Sequence, residues 1–162
     1  MIRNFGCLRG EEGASIVETA FASTIFFAML MGTFQMLLAS YTFHFVSDAA
    51  REATRYAMVR GSTSCTNTPS LSSCNATSDQ IQTYVRALKY PGIKSSSLTV
   101  TTTWRTASTT TPTTWSACSS GTCNVPGNQV RVVVTYAFPF SVPFVPRSTL
   151  SLTSTSRMVI SQ

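Results

Sequence analysis

Residues 16–46 read IVETAFASTIFFAMLMGTFQMLLASYTFHFV, an apolar run whose only acidic residue is Glu18 and whose only histidine is His44. The run holds no proline and shows no polar face at helical spacing. About 20 such residues cross a bilayer as a helix, because lipid offers the backbone no hydrogen-bond partners and the chain must satisfy its own N–H and C=O groups. The reading is therefore a spanning helix near Thr19 to Phe43. A cleaved secretory signal would have an apolar core of about 7–15 residues with a small-residue site after it. No such site is evident here. Helical character continues past the run, where Ala49, Ala50, Ala53, Tyr56 and Ala57 share a stripe beside Asp48, Arg51, Glu52 and Arg55. A helix over 14–60 would be about 70 Å long at 1.5 Å per residue, and Gly61 is its natural stop.

Composition narrows what such a chain can do. Of its 162 residues 43% are hydrophobic and 11% charged, against roughly 25% charged in an average soluble domain. The acidic residues are Glu11, Glu12, Glu18, Asp48, Glu52 and Asp79, so one carboxylate side chain and no histidine lie beyond residue 52. Paired-carboxylate hydrolysis, Ser-His-Asp chemistry and His-ligated metal catalysis lack their parts there. No catalytic residue, metal site or cofactor is expected. The net charge of +6 comes from Lys and Arg spread singly from Arg3 to Arg157. No basic stripe interleaved with aromatics forms, and no nucleic-acid partner is expected.

After Gly61 the sequence reads as a small α+β domain. Residues 62–78 form a loop rich in Ser, Thr and Asn. Thr77 and Gln80 then have capping-box spacing for a short helix with Ile81, Tyr84, Val85 and Leu88 on one face, ended by Pro91 and Gly92. About three antiparallel strands follow. Leu98, Val100, Thr102 and Trp104 alternate with polar or small residues, Gln129 to Phe138 is more apolar, and Thr149 to Ile160 alternates again. Residues 106–127 read as a long loop, and the prolines of 139–146 exclude a central strand there.

Orientation is not given by charge, since Arg3 and Arg9 precede the run and Arg51, Arg55 and Arg60 follow it. Cysteines are more informative. Cys65, Cys74, Cys118 and Cys123 all follow the run in loop-like sequence, which reads as disulfides in an oxidising compartment. Neither spacing is a Cys-x-x-Cys zinc knuckle. Three pairings are open, and Cys65 with Cys74 and Cys118 with Cys123 is the simplest.

The segment Gly13-Ala14-Ser15-Ile16-Val17-Glu18 joins a short charged leader to the apolar helix and carries a glutamate five residues after the glycine. It resembles the prepilin peptidase site of tight-adherence pilins. The likeness extends to Ala49-Ala50-Arg51-Glu52-Ala53-Thr54-Arg55-Tyr56-Ala57, which looks like the alanine and arginine segment closing a TadE-like domain. Thr19, where an aromatic residue often follows the glutamate, and Thr24, where many members have proline, depart from the pattern. The resemblance implies a leader over 1–13 cut between Gly13 and Ala14, a membrane-spanning and extended TadE-like helix over 14–60, and an extracytoplasmic domain over 61–162. It implies a non-enzymatic minor pseudopilin of the TadE or TadF type that primes or caps a tight-adherence pilus. Implied partners are the major pilin, other minor pilins, the prepilin peptidase, the platform proteins of the inner membrane and membrane lipid. Glu18 would pair with the new α-amino group of Ala14 on a neighbouring subunit, an ion pair strengthened by its apolar surround. The alternative is a bitopic anchor for an outer binding module that never polymerises.

The remaining features have ordinary readings. Cys7 is a reduced leader thiol, His44 an interfacial or packed side chain, and Asn75-Ala76-Thr77 an exposed loop. Trp104, Trp115 and Tyr136 serve as core or loop anchors.

Overall fold

The apolar run and the alanine segment form one uninterrupted helix, α1 (Glu12–Met58). This is seen in a computed structural model that describes residues 12–108, 114–118, 123–143 and 146–161. The expected leader, with Cys7, falls largely outside the described residues. The helix closes at Met58, slightly before the expected end at residue 60, and distant stretches of chain take up carbonyls at its end and just beyond it. The Ser161 N–H donates to the Met58 carbonyl at 3.3 Å, and the Ala76 N–H to that of Arg60 at 2.9 Å. Carbonyls that a helix end leaves orphaned are thereby satisfied.

Beyond α1 come a single helical turn, α2 (Ser64–Asn67), a second amphipathic helix, α3 (Ser78–Ala87), and four strands: β1 (Leu98–Ala107), β2 (Trp115–Ala117), β3 (Gln129–Phe140) and β4 (Ser148–Val159). The class is α+β, as the sequence indicates. The capping box is formed: the Gln80 N–H donates to Thr77 Oγ1 at 3.4 Å, and the Thr77 N–H to Gln80 Oε1 at 3.0 Å. Ile81 and Val85 are buried, and Tyr84 and Leu88 pack at the margin of the core.

The strands make one antiparallel sheet in the order β2-β1-β3-β4. Period-two alternation sends Val130, Val132, Val134, Tyr136 and Phe138 of β3 inward with Leu98 and Val100 of β1, while Thr99, Thr101 and Thr103 face out. On the inner face α1 lies along β3 and β4, and α3 lies on β1 and α1. Ala39, Val46, Ala49, Ala50, Ala53 and Ala57 of α1 are buried there. Side chains this small let the helix approach the sheet closely, and the Thr54 and Ser156 hydroxyls meet at 2.7 Å across that seam. A helix that contributes mostly alanines to the core buries little apolar area per residue, and small domains with limited burial commonly carry covalent staples.

Two strand expectations change. The stretch 106–127 is not all loop: Trp115–Ala117 adds a fourth, edge strand, paired Arg105↔Ala117 through Ala107↔Trp115. So short a strand carries no periodic signal, and it is held by backbone pairing and by Arg105 Nη2 donating to the Trp115 carbonyl at 2.8 Å. Strand β3 also runs through Pro139. That is sterically permitted because pairing with β1 stops at Leu98↔Tyr136, leaving Pro139 with β4 alone as neighbour.

Candidate functional site

Gly13 lies within α1, where glycine costs about 0.5–1 kcal/mol relative to alanine. Nothing in the fold asks for it, since a Cβ placed there meets no atom within 4 Å. Ala14 follows on the exposed surface, and one turn later so does Glu18. Glu18 makes no ion pair among the described residues; it is the only carboxylate side chain between Gly13 and Ser47.

The rest of the segment is arranged for an apolar medium. The hydroxyls of Thr19, Ser23, Thr24 and Thr33 donate back to carbonyls one turn earlier, those of Ser15, Thr19, Ala20 and Leu30, at 2.7–2.8 Å. Each thereby satisfies its polar hydrogen without water. From Ala14 to Leu38 no residue is buried, and Ile16, Phe21 and Leu37 are 70%, 69% and 69% exposed. A soluble chain rarely shows an apolar surface of this extent. This one helix is long and apolar enough to cross a membrane. Burial against the domain starts at Ala39 and Thr42, which lie inside the span expected from the sequence but face the sheet.

The second half of α1 holds the other expected motif. Arg51, Glu52 and Arg55 lie on its outer side, opposite the buried alanines, and pair along the helix as Asp48–Arg51 at 3.8 Å and Glu52–Arg55 at 3.3 Å. Such exposed pairs contribute about 0.2–0.5 kcal/mol each to the helix. Tyr56 leaves the stripe to stack on Tyr84 at 4.3 Å, with the Arg60 guanidinium 3.8 Å above its ring. His44 is exposed, and Tyr136 belongs to the core.

The four loop cysteines stand as two local pairs at disulfide distance: Cys65 and Cys74 with Cα atoms 5.1 Å apart, Cys118 and Cys123 with Cα atoms 6.3 Å apart. Between the pairs sits Asn124, unmarked by any sequence pattern. Its side-chain amide donates to the carbonyls of Arg60 at 2.9 Å and Ala76 at 3.1 Å, and its backbone carbonyl accepts from the Ser62 N–H. Gln35 is equally hidden: its Nε2 donates to the Ser141 carbonyl at 3.0 Å, tying α1 to the end of β3. Among the described residues no group of His, Cys, Asp and Glu is placed to hold a metal ion.

No curated protein and no solved structure matches the chain. A family model does, and it starts at Gly13 and ends at Arg55, taking in both the glutamate turn and the alanine and arginine segment. Over residues 13–55, then, this chain is a match to the family of TadE-like proteins.

Proposed function

We propose that the chain is a minor pseudopilin that takes part in assembling a tight-adherence pilus, in priming or capping the fibre, and that it is not an enzyme. The observation that carries this reading is a TadE-like helix with no buried residue from Ala14 to Leu38, holding one carboxylate that has no ion-pair partner among the described residues. A permanent anchor needs the apolar surface but has no use for Glu18 inside it, where insertion scales charge about 2.5–3.5 kcal/mol at the helix centre and less toward its ends. A subunit that docks on others does have a use for it. Cleavage after Gly13 would free the Ala14 amine, and Glu18 of one subunit would pair with that amine on the next. A glycine that packing does not require supports the same reading, as a residue kept for the peptidase rather than for the helix.

In this scheme the apolar half of α1 holds the subunit in the inner membrane before assembly and packs against the major pilin and sister minor pilins afterwards. The prepilin peptidase and the inner-membrane platform act on it in between. The sheet domain lies outside the cytoplasm, where the two cysteine pairs would be oxidised.

The deciding measurement is the amino-terminal sequence of the protein taken from cells that make the peptidase. A start at Ala14 is expected. Recovery of only the 162-residue chain would replace the pseudopilin with a permanently anchored outer module.

A further inference from the structure

Strand β3 ends beside the apolar half of α1. It is fixed there by the Gln35 to Ser141 bond, between residues 106 apart in sequence. There Met29, Gly32, Thr33, Met36 and Leu37 of the helix and Phe140 and Val142 of the hairpin line one open groove of about 640 Å³, with no charged side chain among them. The level of this contact along the helix is informative. From Ile16 to Gln35 the helix rises about 30 Å, the thickness of the hydrocarbon core of a bilayer. Four residues beyond Gln35, at Ala39, the helix is already buried in its own domain. If the span is counted from Ile16, the outer boundary of the hydrocarbon falls level with Gln35 and Ser141.

The chemistry of this stretch suits that depth. Unpaired backbone N–H groups are costly near lipid, so a connection with few of them is the least costly there. Pro139, Pro143 and Pro146 bring no N–H at all, and the carbonyl of Ser141 has its donor in Gln35. Phe140 and Val142 supply apolar surface, and Arg147 follows as the first charged residue after them, exposed and without an ion pair among the described residues. An arginine at that height meets headgroup phosphates.

We infer that the end of β3 and the residues just after it are a second membrane contact, with the side chains of Phe140, Val142 and Pro143 at the acyl chains of the leaflet beneath the domain and Arg147 at the phosphates. The inference rests on the reading of α1 as a membrane span. A photoreactive p-benzoylphenylalanine is placed at position 142 of the full chain, and separately at 140, at 27 within the apolar run, and at 84 on α3. Each protein is reconstituted in phosphatidylcholine and phosphatidylglycerol vesicles, irradiated, and analysed by mass spectrometry for lipid adducts. Lipid adducts at 142 and 140 as abundant as those at 27, and none at 84, are expected. Adducts at 27 alone would overturn the hairpin contact and leave the span standing. Absence of adducts at 27 as well would overturn both. A cross-link from 142 to a second copy of the chain, in place of lipid, would overturn the proposal in favour of a subunit contact.

Discussion

Glu18 and Gly13 are the residues at which anchoring and assembly make different demands. If Glu18 only rests among headgroups, Glu18→Ala removes a solvated charge and nothing else changes. If it pairs with an Ala14 amine on a neighbour, the substitution leaves a cation unpaired in apolar surroundings, at a cost of about 3–5 kcal/mol. The expected outcome is a protein that inserts and is processed normally but does not co-purify with other pilins and supports few fibres. Normal co-purification with normal fibre number would remove Glu18 from docking. Gly13→Leu is expected to leave the precursor uncut, seen as the slower band on a gel, because the peptidase site loses its glycine, while the helix itself is open at that position, where a Cβ meets nothing within 4 Å. Both residues were legible in the sequence because their relation is local, five residues apart on one helix. Gln35 was not, since the atom that gives it meaning belongs to Ser141. Asn124 was hidden for the same reason, its acceptors lying at Arg60 and Ala76.

Among the elements, α1 and α3 could be read in advance because a helix writes its own period and its own cap. The stripe of alanines could be seen but not its purpose, which is the close seat of β3 and β4 on the helix. Ala53, fully buried in that seam, gives the test: Ala53→Leu adds volume where nothing yields and is expected to cost about 1–3 kcal/mol, measured by denaturation of the full chain in detergent. Thr77→Ala removes one half of the capping box and is expected to cost about 1 kcal/mol in the same assay. Strand β2 escaped notice because three residues hold too little alternation to register, and it exists only by virtue of the edge that β1 offers it. The passage of β3 through Pro139 depended likewise on where β1 happens to stop pairing.

For the molecule as a whole, stability is divided between a thin core and the two cysteine pairs that flank Asn124. In the chain-entropy account, closing loops as short as these contributes about 2–3 kcal/mol each. The double change Cys65→Ser with Cys74→Ser is therefore expected to lower the denaturation midpoint, and non-reducing mass mapping of envelope protein is expected to find no alkylatable thiol among the four. Four free thiols would place the domain in a reducing compartment instead. The architecture has one more effect. Between Thr33 and Met58 the sequence of α1 has neither glycine nor proline, and the sheet is seated on that same stretch with no linker between them. The domain has no swivel where it meets the apolar segment, so its azimuth is geared to that of the helix below. A neighbour that grips the lower helix and turns it about its axis turns the threonine face of the sheet through the same angle, and whatever fixes the foot of the subunit also decides which way its head looks.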